Sequence, residues 1–185
     1  ARQTIVHAEI KFDPQAHLRR GIPYEAFMAG IGAAQDDGEE RFGVHSKLIM
    51  CFQRDAPLTS AEAAFEAALA YRDRIVAVGL DNTEVADFPA RFADLFSRAR
   101  AAGFRLTAHC DLDQPNSIEH IRACIEDLQV DRLDHGYNIL EDQRLVRPAR
   151  DRQLCLTACP TTDYRTRDPA DDYYFRTVSA AIATM

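Results

Sequence analysis

Short runs of strand-forming residues alternate with longer stretches of helical apolar spacing along most of this 185-residue chain, and that alternation limits the fold more than any other feature. Residues 5–12 read as a strand that Asp13-Pro14 ends. From Tyr24 onward, Phe27, Met28 and Ile31 recur at the spacing of one helix face. Residues 47–52 form an apolar run too short for a helix, which predicts a strand buried on both faces. Thr59 and Glu62 stand at capping-box spacing before an alanine-rich helix. The unit then repeats: a strand over 75–80 ending at Asp81, a helix marked by Phe92, Leu95, Phe96 and Ala99 and stopped by Gly103, and a strand over 104–109. Asn116 with Glu119 predicts a capped helix, followed by a strand over 131–135, a helix over 142–151 and a strand over 153–158.

Six strands alternating with helices predict parallel β/α units, and no Pro/Gly/Ser-rich linker divides them, so residues 1–185 read as one domain. A closed eight-stranded barrel of this kind needs about 250 residues. The expectation is therefore a parallel (β/α) barrel of TIM type, represented by about six of its eight units and belonging to a longer protein. An open, doubly wound six-stranded sheet is the alternative that the length suits.

In a barrel of parallel strands the chemistry gathers where the strands end. Two ends stand out, Leu106-Thr107-Ala108-His109 and Arg132-Leu133-Asp134-His135-Gly136. Imidazoles on neighbouring strand ends suit a bound metal or a proton shuttle, both of which serve hydrolytic enzymes. Composition narrows the partners. A formal net charge of -7, with no basic cluster longer than Arg19-Arg20, argues against nucleic acid and against an anionic membrane surface. Five scattered cysteines fit buried thiols in a reducing compartment, and a cytoplasmic location is the expectation. His7 is expected to be buried and hydrogen-bonded, whereas His45, in a loop, and His120, on a helix face, are expected to meet solvent; Cys155 and Cys159 read as small buried hydrophobes.

Taken in order, Glu9-Ile10-Lys11-Phe12-Asp13-Pro14 with His17, Val78-Gly79-Leu80-Asp81, Thr107-Ala108-His109, Arg132-Leu133-Asp134-His135-Gly136, Ala158-Cys159-Pro160 and Asp168-Pro169-Ala170 resemble the adenosine and adenine deaminase family of metal-dependent barrel hydrolases. The resemblance implies zinc-dependent hydrolysis at C6 of a small-molecule purine, with release of ammonia or an amine. It implies that His109 is a zinc ligand and that His135 orients and deprotonates the attacking water. Asp168 corresponds to a carboxylate that contacts the purine, and Asp81 to an aspartate near the pocket. Where the family has His-Ala-Gly-Glu, this chain has His109-Cys110-Asp111-Leu112-Asp113-Gln114, so the proton donor falls to Asp113 or Asp111, with Asp113 nearer the family spacing.

Two departures bear on the metal. No His-x-His pair exists in these residues, and Arg167 stands where the family carries a ligating aspartate, so one ligand of the usual four is present. A catalytically silent relative that serves as a binding module, and a metal-dependent amidohydrolase acting on a cyclic amide, are the competing readings. Adenine, an N6-substituted adenine and adenosine all stay open as substrates, as does a homo-oligomeric state.

Overall fold

The computed structural model describes residues 4–84, 88–110 and 114–158. Their backbone falls into two compact units, the first made of residues up to Thr83 together with Arg98–Arg105, the second of Glu84–Ser97 and the residues from Leu106 on.

The first unit carries β1 (His7–Phe12), α1 (Pro14–Leu18), α2 (Tyr24–Phe42), β2 (His45–Gln53), α3 (Leu58–Ala68) and β3 (Ile75–Asp81). The strands are parallel, with β2 between β1 and β3; Ile10 pairs with Leu48, and Gln53 with Asp81. Leu48 through Phe52 are each at most 1 % exposed, which is the strand buried on both faces that the unbroken apolar run predicts. Alternation along β2 sends Leu48, Met50 and Phe52 to one face and Ile49 and Cys51 to the other. The first face meets helix: Tyr24 of α2 donates its hydroxyl to the sulfur of Met50 at 3.3 Å. Gly103, at φ +86°, ends α4 (Phe88–Ala101) in the left-handed region and turns the chain so that Phe104 packs edge-on to Phe65, with ring centroids 6.1 Å apart.

The second unit carries β4 (Arg105–Cys110), α5 (Ser117–Glu126), β5 (Arg132–His135), α6 (Gln143–Asp151) and β6 (Cys155–Thr157), β4 beginning one residue before the division. These strands are also parallel, with β5 between β4 and β6. Leu106, Ala108, Ile121, Cys124, Ile125, Leu133 and Tyr137 supply its buried apolar side chains. All six predicted strands are present, and the described residues contain no helix long and apolar enough to cross a membrane.

Several local expectations differ from the structure. α3 starts at Leu58 with Pro57 as its N-cap, so Thr59 lies inside the helix and closes no capping box. Proline before the first turn fixes the entry backbone by itself, and the Ser60 hydroxyl donates back to the Pro57 carbonyl at 2.7 Å. Asn116 does precede α5, yet at φ +61° its side chain makes no cap hydrogen bond. His7 is exposed at the first position of β1, and Cys155 is exposed on β6. His45 is exposed as expected, although it opens β2 rather than lying in a loop.

Candidate active site

His109 and His135 stand side by side. Their ring centroids are 5.2 Å apart with the planes inclined by 48°, and both residues are half-buried. β4 and β5 do not pair these two directly, because His109 lies opposite Asp134 and Cys110 opposite His135. On a regular strand His135 would therefore project away from the face that carries His109. The backbone removes the conflict: His135 adopts φ +67° and Gly136 φ +66°, so the strand ends in two left-handed residues and the imidazole swings towards His109. Left-handed backbone strains a residue with a side chain by about 1–3 kcal/mol, and such outliers gather at functional sites. Gly136 is needed for a second reason, since a Cβ there would lie 3.3 Å from the Cβ of Leu133.

Beneath this pair lies a polar network of residues from the same two motifs, to which the sequence assigns no role of their own. Asp134, 3 % exposed, accepts a hydrogen bond from the Thr107 hydroxyl at 2.5 Å, while Arg132 brings its Nε to 3.3 Å from the other carboxylate oxygen. Thr107 is two residues from His109 on β4, hence on the same face, so the aspartate ties the two strands together just below the rings. Tyr137, fully buried, packs edge-on to the His135 ring at 6.1 Å. His120 corrects its expectation. It is 3 % exposed rather than solvated, and its Nδ1 lies 2.6 Å from the Glu84 carboxylate, whose side chain is equally buried. That pair fastens the segment after Asp81 to α5, and nothing local foretells it because 36 residues separate the partners.

In the first unit, Asp81 closes β3. Burial, and after it the hydrogen bond with and the charge of Asp13, push its carboxyl up to about 8, so Asp81 is largely protonated at neutral pH. The turn beyond it is held by the wholly buried Arg54, whose backbone N–H donates to the Asp81 carbonyl at 3.2 Å and whose Nε donates to the Asn82 carbonyl at 2.7 Å. Asp13, Cys51 and Asp81 form the single group of three potential metal ligands among the described residues. His17, in the helix after β1, packs its ring on Phe27 at 5.1 Å, a structural use. Asp111, Asp113 and Asp168 lie outside the described residues.

Comparison with known proteins agrees with this arrangement. The sequence model of the adenosine deaminase family matches residues 1–173. An uncharacterized deaminase of Schizosaccharomyces pombe is 46 % identical over 160 residues, 86 % of this chain and 47 % of the relative. An adenine deaminase of Rhodospirillum rubrum is 42 % identical over 167 residues, 90 % of this chain and 49 % of the relative. Among solved structures, the adenine deaminase of Arthrobacter aurescens superposes with a TM-score of 0.82 at 36 % identity, covering 95 % of this chain and 54 % of that one. An amidohydrolase of Burkholderia ambifaria with bound Zn gives a TM-score of 0.83 at 32 % identity, covering 95 % of this chain and 50 % of that one. The chain thus spans about half the length of the curated relatives it matches. Its parallel strands and intervening helices are six units of the TIM-type (β/α) barrel fold. With the family model matching nearly end to end and two imidazoles facing each other at strand ends, this chain belongs to the adenosine deaminase family.

Proposed function

We propose that the full-length protein, as one barrel domain, catalyses zinc-dependent hydrolytic deamination at C6 of a 6-aminopurine, giving the 6-oxopurine and ammonia or an amine. The single observation that carries this reading is the 5.2 Å approach of the His109 and His135 rings at the ends of β4 and β5. Adenine is favoured over adenosine by the names of the relatives at about 42 % identity, and an N6-substituted adenine is the neighbouring alternative.

His109 would hold the zinc. A half-buried imidazole at a strand end, beside a second imidazole and above a buried carboxylate, has the chemistry of a nitrogen ligand to that ion. One imidazole does not hold zinc tightly, so the remaining ligands are proposed to come from the half of the relatives' length that this chain does not span. When bound, zinc supplies the Lewis acidity that makes water a nucleophile near neutral pH.

The chain's own residues do the rest. His135 takes the proton from the attacking water and returns it to the amine nitrogen as the bond to C6 breaks, so that ammonia departs. A carboxyl at Asp113, or at Asp111, delivers a proton to the ring nitrogen, which relieves the charge that builds on the purine as C6 becomes tetrahedral. Asp81 holds its proton at neutral pH, so it can donate a hydrogen bond to a purine acceptor without placing an anion beside the ring. Asp168 supplies a second purine contact.

Ammonia release from adenine, N6-methyladenine and adenosine, measured beside zinc content, tests the proposal. The expected result is about one zinc per chain bound through His109, ammonia or methylamine from the favoured bases, and loss of that zinc and of product in His109→Ala. Zinc-free protein that binds purines and releases nothing would replace this reading with the silent binding relative.

A further inference from the structure

Three strand positions in the first unit bring together groups that purine hydrolysis does not require as a set. Asp13 follows β1, Cys51 lies on β2 and Asp81 closes β3, and the carboxylate and thiol atoms of all three lie within 4.8 Å of one another. Gln53 stands two residues beyond Cys51, hence on the same face of β2, and is the cross-strand partner of Asp81. It is 4 % exposed, yet its Oε1 is buried without a hydrogen-bond partner, and Asp81 Oδ1 is in the same condition. An orphaned amide oxygen beside a carboxyl pair that itself holds an orphaned oxygen suits a ligand that brings positive charge. Gly79, the cross-strand partner of Cys51, carries no side chain to compete for the thiol.

We propose that Asp13, Cys51, Asp81 and Gln53 form a binding site for a divalent, thiol-tolerant cation of the zinc, cobalt or cadmium class. Donor geometry is compatible. Ligand atoms around a tetrahedral zinc stand about 3.3–3.8 Å apart for bonds of about 2.0–2.3 Å, so atoms that already lie within 4.8 Å of one another meet it with small side-chain movements. Asp13 and Asp81 are half-buried and give the ion its entry, while Cys51 forms the closed floor.

Charge balance supports the same occupant. Lys11 lies close enough to act on both Cys51 and Asp81, so two carboxylates face one ammonium. Without a cation the excess negative charge is met by the proton held on Asp81, and burial pushes the Cys51 thiol well above its usual range, leaving it protonated and inert. A divalent ion bound by two carboxylates and a thiolate brings three negative charges against the ion and Lys11, which cancels. Loading therefore exchanges about two protons for one ion, one from the carboxyl pair and one from the thiol.

This site uses none of the ligands proposed for the deaminase zinc, and it shares Asp81 with the proposed purine contacts. Where both hold, an ion here occupies the Asp81 oxygens offered to the purine, and a second equivalent of metal inhibits.

The test is cobalt titration of metal-stripped, full-length protein near neutral pH. Expected are a thiolate-to-cobalt charge-transfer band in the near ultraviolet, release of about two protons per band-forming cobalt, and retention of the band in His109→Ala. Cys51→Ser should abolish the band, and Asp81→Asn should weaken the apparent Kd for it about tenfold or more. A cobalt spectrum without a thiolate band, or one untouched by Asp81→Asn, overturns the proposal; a silent spectrum with intact ammonia release removes this site and leaves the deaminase reading in place.

Discussion

Replacing Asp81 with asparagine should change how stability depends on pH, because asparagine copies the protonated carboxyl and cannot ionise. The folded protein holds a proton on Asp81 up to about pH 8, from an ordinary value of 3.8. A raised folded-state pKa means that the stabilising difference is complete below the unfolded value, declines as pH climbs between the two values and is gone above the folded one. Each unit of separation corresponds to about 1.4 kcal/mol. The separation of about four units would give roughly 6 kcal/mol as an upper bound, and partial access of water together with sharing of the proton with Asp13 brings this to about 3 kcal/mol. Wild-type protein should therefore lose about 2 kcal/mol of this relative to Asp81→Asn between pH 5 and pH 8. Urea unfolding of the two metal-free proteins across that range measures it directly, through midpoints at unchanged slope. Asp13→Asn should remove the part of the dependence that the Asp13 hydrogen bond and charge supply and keep the part due to burial, the largest single cause. Parallel profiles for wild type and Asp81→Asn would refute the argument.

Other substitutions probe the second unit. Glu84→Ala removes the buried carboxylate that faces His120 Nδ1 and should destabilise by about 1–3 kcal/mol in urea unfolding, with much of the loss regained in Glu84→Leu/His120→Leu. Gly136→Ala meets both the left-handed backbone and Leu133, and should cost about 1–2 kcal/mol of stability while lowering kcat through the displaced His135. His135→Ala should reduce kcat for ammonia release by about 100- to 10,000-fold with purine affinity largely kept; an unchanged kcat removes His135 from the proton-transfer role.

The strands, their order of appearance and their polar ends could be read from the chain because each is a local signal: the unbroken run at 47–52 gives β2, and Thr107-Ala108-His109 gives the end of β4. The fit of His135 to His109 could not, since register alone puts His135 on the wrong face and only the His135-Gly136 turn corrects it. A histidine followed by glycine at a strand end is a hint of that turn, though not a specific one. The Glu84–His120 and Asp13–Asp81 pairs escape sequence reasoning for a different cause. Both depend on which strands and helices end up adjacent, and a histidine beside the apolar positions Ile121, Ala123 and Cys124 can as well sit at the solvated margin of the helix as in its buried face. Thr59 shows the reverse error, a correct capping spacing overruled by the proline that precedes it.

The left-handed backbone at His135 sets chemistry and durability against each other at one position. His135→Gly relaxes that conformation and should make the protein harder to unfold by about 1 kcal/mol while erasing turnover. Selection for thermal resistance alone would drift towards glycine here, so persistence of an imidazole among functioning descendants would report that catalysis is being maintained.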